Sequence, residues 1–324
     1  MQQIFLVTLP FFALILCGYL ATRGKLLPLD AIPGLNAFVL YFALPAMLFR
    51  FASGMAITEL FNPHTILVYS LCAMVMVCLA VFTSLRMGHD WNNAAFGALV
   101  TAFPNSGFMG MPILVSLMGA DGVGAAVVSI SIDMIITSSV CIALSRLGKG
   151  DGGSALLAAR KAMQGVLVNP LPWAVMLGAV CSATQFQLYQ PLDQIVAMFA
   201  QSCSPIALFT IGAMLARPPL DGGLSKPNTL RRYGDVPVIV VYKLLFHPVL
   251  VFAVGWVYIR MGFALNSQSL IVLVLVAALP SASSITVLAE RFGADSRRIA
   301  QIVLVSTAVA FVTFSAAVRW LLPQ

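Results

Sequence analysis

Ten stretches of about twenty mainly apolar residues follow one another along the chain, and that succession dictates the solvent. They run approximately 3–22, 34–53, 64–85, 93–118, 122–144, 165–182, 192–215, 236–259, 268–290 and 299–321. A helix rises 1.5 Å per residue, so about 20 residues cross a hydrocarbon core roughly 30 Å thick. Of 324 residues, 60% are hydrophobic and 9% charged; a water-soluble domain carries roughly 25% charged residues to cover its exterior. The expected fold is all-α integral membrane, with ten transmembrane helices in the lipid bilayer. The first apolar run, Ile4 to Ala21, has no basic residue before it and no small-x-small site after it. It reads as a retained span rather than a secretory leader.

The basic residues orient the spans. Short cytoplasmic connectors are enriched in Lys and Arg. Arg23 and Lys25 follow the first span, and Arg86 the third. Arg146, Lys149, Arg160 and Lys161 follow the fifth; Arg217, Lys226, Arg231 and Arg232 follow the seventh; Arg291, Arg297 and Arg298 surround the connector between the last two. These alternate connectors hold 14 of the 18 basic residues; Arg50, Arg260 and Arg319 lie on the other side and Lys243 within a span. The pattern predicts a multi-pass protein of the cell (inner) membrane with both termini on the non-cytoplasmic side. It also accounts for the net charge of +7, so no nucleic-acid partner is expected.

Cys17, Cys72, Cys78, Cys141, Cys181 and Cys203 all fall in apolar runs without CxxC spacing, and His64, His89 and His247 lie far apart without an HExxH or GxSxG pattern. Metal ligation and nucleophilic catalysis need such clusters. Neither a metal site, nor a cofactor, nor an enzyme is expected.

Internal repetition organises the chain. PFFALILCG from Pro10 to Gly18 returns as PLPWAVMLG from Pro170 to Gly178, and PAMLF at Pro45 returns as PIALF at Pro205, both at an offset of 160. Further on, FPNSGFMG at Phe103 faces LPSASSIT at Leu279, and each is followed by Gly-Ala-Asp, ending at Asp121 and Asp295. The order is the same in both halves. Five spans per half force opposite orientations, so the expectation is two inverted five-helix repeats, as in secondary transporters. The first repeat covers 1–145, a cytoplasmic linker 146–164, and the second repeat 165–324.

Proline and glycine interrupt the fourth and ninth spans, which read Thr101-Ala102-Phe103-Pro104-Asn105-Ser106-Gly107 and Ala278-Leu279-Pro280-Ser281-Ala282-Ser283-Ser284. An unwound backbone is tolerated at membrane depth only where protein or a wet cavity satisfies it. The half-helix after each break then aims N–H groups and a partial positive charge at the midplane, which suits an anion. Pro104, Asn105, Ser106, Gly107, Pro280, Ser281, Ser283 and Ser284 are therefore the candidate binding residues; ordinary proline kinks with serines bonded to their own helix are the bland alternative.

PNSGFMGMP in the fourth span with its Gly-Ala-Asp turn, and ALPSASS with AERFGAD in the ninth, resemble the auxin efflux carrier family. The chain looks more closely like its short bacterial members, often labelled malonate or other small-carboxylate permeases, and the likeness covers nearly the whole chain. It implies inverted bundles with broken, crossing helices 4 and 9, homodimers, and elevator-type movement of a transport domain against a scaffold. It also implies substrate binding by the helix 4 asparagine, here Asn105. Plant members carry a long central loop that is missing here. Some also place a lysine before the helix 2 proline, where this chain has Leu40 to Pro45 as LYFALP, a departure that weighs against an auxin-like substrate.

Charged groups inside a bilayer are costly and therefore functional suspects. Asp133 lies deep in the fifth span, and Lys243 and His247 lie one helical turn apart in the eighth. Lys243 could face a carboxylate substrate or pair with Asp133; Asp133 could carry a coupling proton and His247 relay it. The function expected is a permease for a small organic anion such as malonate, coupled to an ion or proton gradient. A cation/proton antiporter built on Asp133 and a non-transporting membrane sensor are the alternatives.

Overall fold

The computed structural model describes residues 2–119, 124–147, 170–216 and 234–322. The expected linker falls outside them from residue 148 onward, as does Asp121. Among the described residues the chain is helical, with no β-strand. The helices are α1 Gln2–Arg23, α2 Ala31–Gly54, α3 Pro63–Arg86, α4 Trp91–Ala102, α5 Ser106–Met118, α6 Gly124–Leu144, α7 Pro170–Thr184, α8 Gln190–Leu215, α9 Val236–Arg260, α10 Ser267–Ala277, α11 Ser284–Arg291 and α12 Ser296–Leu321. By length and composition, α2, α3, α6, α8, α9 and α12 can each cross a membrane.

Three of these helices widen into one π-helical turn at a place proline explains. Val39–Ala43 in α2, Ser106–Gly110 in α5 and Tyr242–Phe246 in α9 each end two residues before Pro45, Pro112 or Pro248. A proline ring strikes the carbonyl four residues back and offers no N–H, so the preceding turn relaxes outward. Asp133–Thr137 in α6 forms a fourth π-turn without a proline. There the Asp133 carbonyl accepts from both the backbone N–H and the Oγ of Ser138, the latter at 2.8 Å.

The chain forms two compact units. The first comprises residues 1–63, 106–131 and 169–217, hence α1, α2, α5, the start of α6, α7 and α8. Its helices meet through small residues, as membrane helices do when van der Waals contact must replace the hydrophobic effect. A Cβ on Gly18 of α1 would lie 1.9 Å from the Phe209 carbonyl oxygen of α8, and one on Gly178 of α7 would lie 2.6 Å from the Phe49 carbonyl oxygen of α2. Both members of these pairs differ by 160. The ends of the two repeated motifs thus touch each other in two places, and Ala213 and Ser53 recur beside them at the same offset. Phe38, Phe42 and Phe199 cluster with ring centroids 6.0–6.1 Å apart. Arg50 pairs with Asp193 at 3.0 Å in an exposed position, where an ion pair contributes little.

The second unit comprises residues 64–105, 132–168 and 218–324. At its centre α4 is buried on nearly all sides, from Asn92 through Ala102 apart from partly covered Asn93. Its sequence of alanines and glycine permits that close approach. Met76, Phe96, Leu99, Ile239, Leu244 and Ile302 pack in the surrounding core. Asp90, Asn266 and Asp295 cap α4, α10 and α12 by accepting from the N–H groups of Asn93, Gln268 and Arg298, which satisfies donors that a helix start leaves free. Asp295 closes the second Gly-Ala-Asp.

Arg298, which charge counting groups with the connector between the last two spans, is buried in the first turn of α12. Its Nε donates to Asp235 Oδ1 and Oδ2 at 3.2 and 3.0 Å, its Nη1 to the Asn93 carbonyl at 2.7 Å, and its Nη2 to Ser84 Oγ at 3.0 Å and to Asp235 Oδ2. His89 Nε2 lies 3.3 Å from Asp235 Oδ1. A Cβ on Gly97 would meet the guanidinium at 2.6 Å, so glycine there makes room for it. Burial alone would raise the Asp235 pKa, but the hydrogen bonds from His89 and Arg298 outweigh it and hold the carboxyl at about 2.

Candidate functional site

The proline-bearing segments ending at Asn105 and beginning at Leu279 come together in the second unit. Phe103 and Leu279 each precede a proline, whose ring disfavours a helical conformation in the residue before it. Phe103 is accordingly extended, at φ −93° and ψ 103°, and α10 has already ended at Ala277. The two unwound segments form an antiparallel bridge between Pro104 and Ser281. The Asn105 N–H donates to the Pro280 carbonyl at 2.8 Å, and the Ala282 N–H to the Phe103 carbonyl at 3.2 Å. The Ser281 N–H donates to Ser306 Oγ of α12 at 3.2 Å. Backbone groups that a broken helix would strand are thus satisfied by the other broken helix and by one serine.

Pro104, Asn105, Pro280 and Ser281 are brought together by this bridge. Asn105 and Ser281 are buried, and neither side chain makes a hydrogen bond among the described residues; Ser281 Oγ is fully enclosed without a partner. A buried hydroxyl lacking a partner costs about 1–3 kcal/mol, which marks a place where another molecule can supply the missing bond. Ser283 is buried at the N-cap of α11 without capping it through its side chain, while Ser284 is exposed. Ser106 and Gly107 open α5 in the first unit, where a Cβ on Gly107 would come within 3.1 Å of Leu44 Cδ2.

Asp133, Lys243 and His247 form a separate buried group in the second unit. Asp133 Oδ2 accepts from Tyr69 OH at 2.7 Å and Oδ1 from Thr137 Oγ1 at 3.1 Å. Lys243 Nζ lies 3.2 Å from His247 Nδ1. Asp133 and Lys243 act on each other electrostatically, but no ion pair within 4.0 Å joins them. The structural pairing considered for them is therefore not a direct contact. Both residues sit in π-turns, features that often accompany functional sites. Sequence reasoning missed Tyr69, Thr137 and Ser306; hydroxyls in apolar spans were the signal, and nothing distinguished these from the others.

Two unwound, proline-bearing segments that support each other beside polar side chains form the kind of arrangement that secondary transporters use to bind substrate. The profile of the family described as "Membrane transport protein" matches residues 4–318, and the chain belongs to that family, the auxin efflux carriers. A "Putative malonate transporter" of Rhizobium meliloti (strain 1021) is 26% identical over 314 residues, 97% of this chain and 94% of the relative. The "Uncharacterized transporter YfdV" of Escherichia coli (strain K12) is 26% identical over 301 residues, 89% and 88% of the two chains. An "Uncharacterized transporter" of Methanothermobacter thermautotrophicus is 22% identical over 314 residues, covering 93% and 92%.

Proposed function

We propose that this protein is a secondary active transporter for a small organic anion of the malonate or related carboxylate class. The observation that carries this reading is the Pro104–Ser281 bridge with unpartnered Asn105 and Ser281 beside it. Neutral donors at the starts of half-helices bind a carboxylate without the desolvation cost of a buried cation. The name of the Rhizobium relative favours the same class. The protein in this reading has ten transmembrane helices in two inverted five-helix repeats, 1–145 and 165–324, joined by a cytoplasmic linker. The 160-residue offset shared by the Gly18–Phe209 and Gly178–Phe49 contacts supports the repeat. Elevator-type alternating access, a homodimer in the cell (inner) membrane, and both termini on the non-cytoplasmic side complete it. The chain is a carrier rather than an enzyme. Cation/proton antiport through Asp133 is the weaker reading, because Tyr69 and Thr137 already hydrogen-bond both of its carboxylate oxygens.

Proteoliposomes holding the purified protein take up labelled malonate in this reading, and Asn105→Ala lowers uptake about tenfold to a hundredfold at limiting substrate. That range corresponds to losing one hydrogen bond to a charged group, about 1.5–3 kcal/mol. An Asn105→Ala protein with unaltered uptake removes Asn105 from the site.

A further inference from the structure

We propose that Asp133, with Lys243 and His247, forms a proton-binding site within the second unit, and that its loading drives the anion transport proposed above. The coupling half rests on that transport reading; the proton site itself does not.

The geometry can hold Asp133 in either protonation state. As a carboxylate it accepts from Tyr69 OH and Thr137 Oγ1, at 2.7 and 3.1 Å. As an acid it keeps the Tyr69 bond on Oδ2 and donates from Oδ1 to Thr137, whose hydroxyl is acceptor as well as donor and rotates to suit. No direct ion pair locks the carboxylate in its charged form; Lys243 Nζ lies instead 3.2 Å from His247 Nδ1. His247 Nδ1 faces the Lys243 amine, and an ammonium donating there leaves the imidazole proton on Nε2, which is buried without a partner among the described residues. Loading adds one proton to the Asp133 carboxylate, raises the charge of the group by one and reverses the Thr137 hydrogen bond; no covalent bond other than that to the proton changes. The other titratable groups around Asp133 are Tyr69 on α3 and Cys141 on α6, with Cys72 acting on Tyr69 and Cys78 on Cys141, and α4 supplies none.

Position links this group to the bridge. The π-turns bearing Asp133 and Lys243 both pack against α4, the half-helix that runs directly into Phe103, Pro104 and Asn105. A carboxylate neutralised beside Lys243 leaves the unit one charge more positive, which favours loading an anion and then releases it when the proton leaves.

Infrared difference spectra of the purified protein between alkaline and acidic pH test the site without substrate. A carboxylic-acid carbonyl band that grows on acidification is expected in the wild type, absent in Asp133→Asn and restored, shifted, in Asp133→Glu. A band that is missing in the wild type, or that survives in Asp133→Asn, overturns the site. Asparagine keeps both hydrogen-bond partners, and the wild-type titration decides the matter even where a variant folds poorly. In proteoliposomes containing a pH-sensitive dye, malonate entry is expected to carry protons inward, and Asp133→Asn to lose that inward proton movement. Malonate entry without proton movement in the wild type overturns the coupling. A titrating band in a protein that carries no malonate supports the proton site and overturns the carboxylate reading instead.

Discussion

Arg298→Met is expected to cost about 3–5 kcal/mol of folding stability, the usual consequence of removing one partner from a buried ion pair. Domain stabilities are only about 5–15 kcal/mol, so little folded protein should survive extraction. The reason is the charge left behind: Asp235 has no exposed side-chain surface and receives Arg298 through Nε and Nη2 together. The Asn93 carbonyl and Ser84 hydroxyl lose their donor as well. The double variant Arg298→Met with Asp235→Leu should recover most of the loss, because two apolar side chains leave no unpaired charge. Thermal unfolding in detergent, followed by size-exclusion, measures both. Equal losses in the single and double variants would sink the argument. The same pair sets an acid limit. Asp235 titrates at about 2 when folded and near 3.9 when unfolded, so its contribution is fully present above about pH 4 and is lost as pH falls through 2.

The second large effect is expected at Gly18 and Gly212. A Cβ at Gly212 would stand 1.8 Å from the Ile15 carbonyl oxygen, and one at Gly18 would stand 1.9 Å from that of Phe209. Neither obstacle is a side-chain end that can swing aside; each is backbone of the facing helix, so even alanine must push α1 and α8 apart. Overpacking costs about 1–3 kcal/mol and sometimes more. Gly18→Ala and Gly212→Ala should each lower the unfolding midpoint clearly, and leucine at either position should abolish folded protein. Gly178→Ala, where the nearest approach is 2.6 Å, should be milder. A Gly18→Ala protein with the wild-type midpoint would show that the two helices separate at no cost.

The helical class and the interruptions at Pro104 and Pro280 were legible because lipid imposes simple rules: long apolar runs, and proline where a helix breaks. Repeat matches at Gly18 and Gly178 also carried geometric meaning, since at both glycines the backbone of a facing helix leaves no room for a Cβ. The burial of Arg298 was not legible, because counting basic residues near span ends says nothing of their partners. Its partner Asp235 lies 63 residues earlier in sequence. Long-range polar pairing leaves no periodicity to detect. Tyr69 escaped for the same reason, being one hydroxyl in an apolar helix 64 residues from the carboxylate it meets.

The bridge between Pro104 and Ser281 also bears on how the protein is made. Its two segments are about 176 residues apart in the chain. Ribosomes add roughly 5–20 residues per second, so the segment at Pro280 emerges some 10–35 s after that at Pro104. Until then the carbonyl of Phe103 and the N–H of Asn105 lack their final partners, and an unmet backbone group in hydrocarbon costs several kcal/mol. The segment at Pro104 is therefore expected to complete its backbone hydrogen bonds only once the segment at Pro280 has been made.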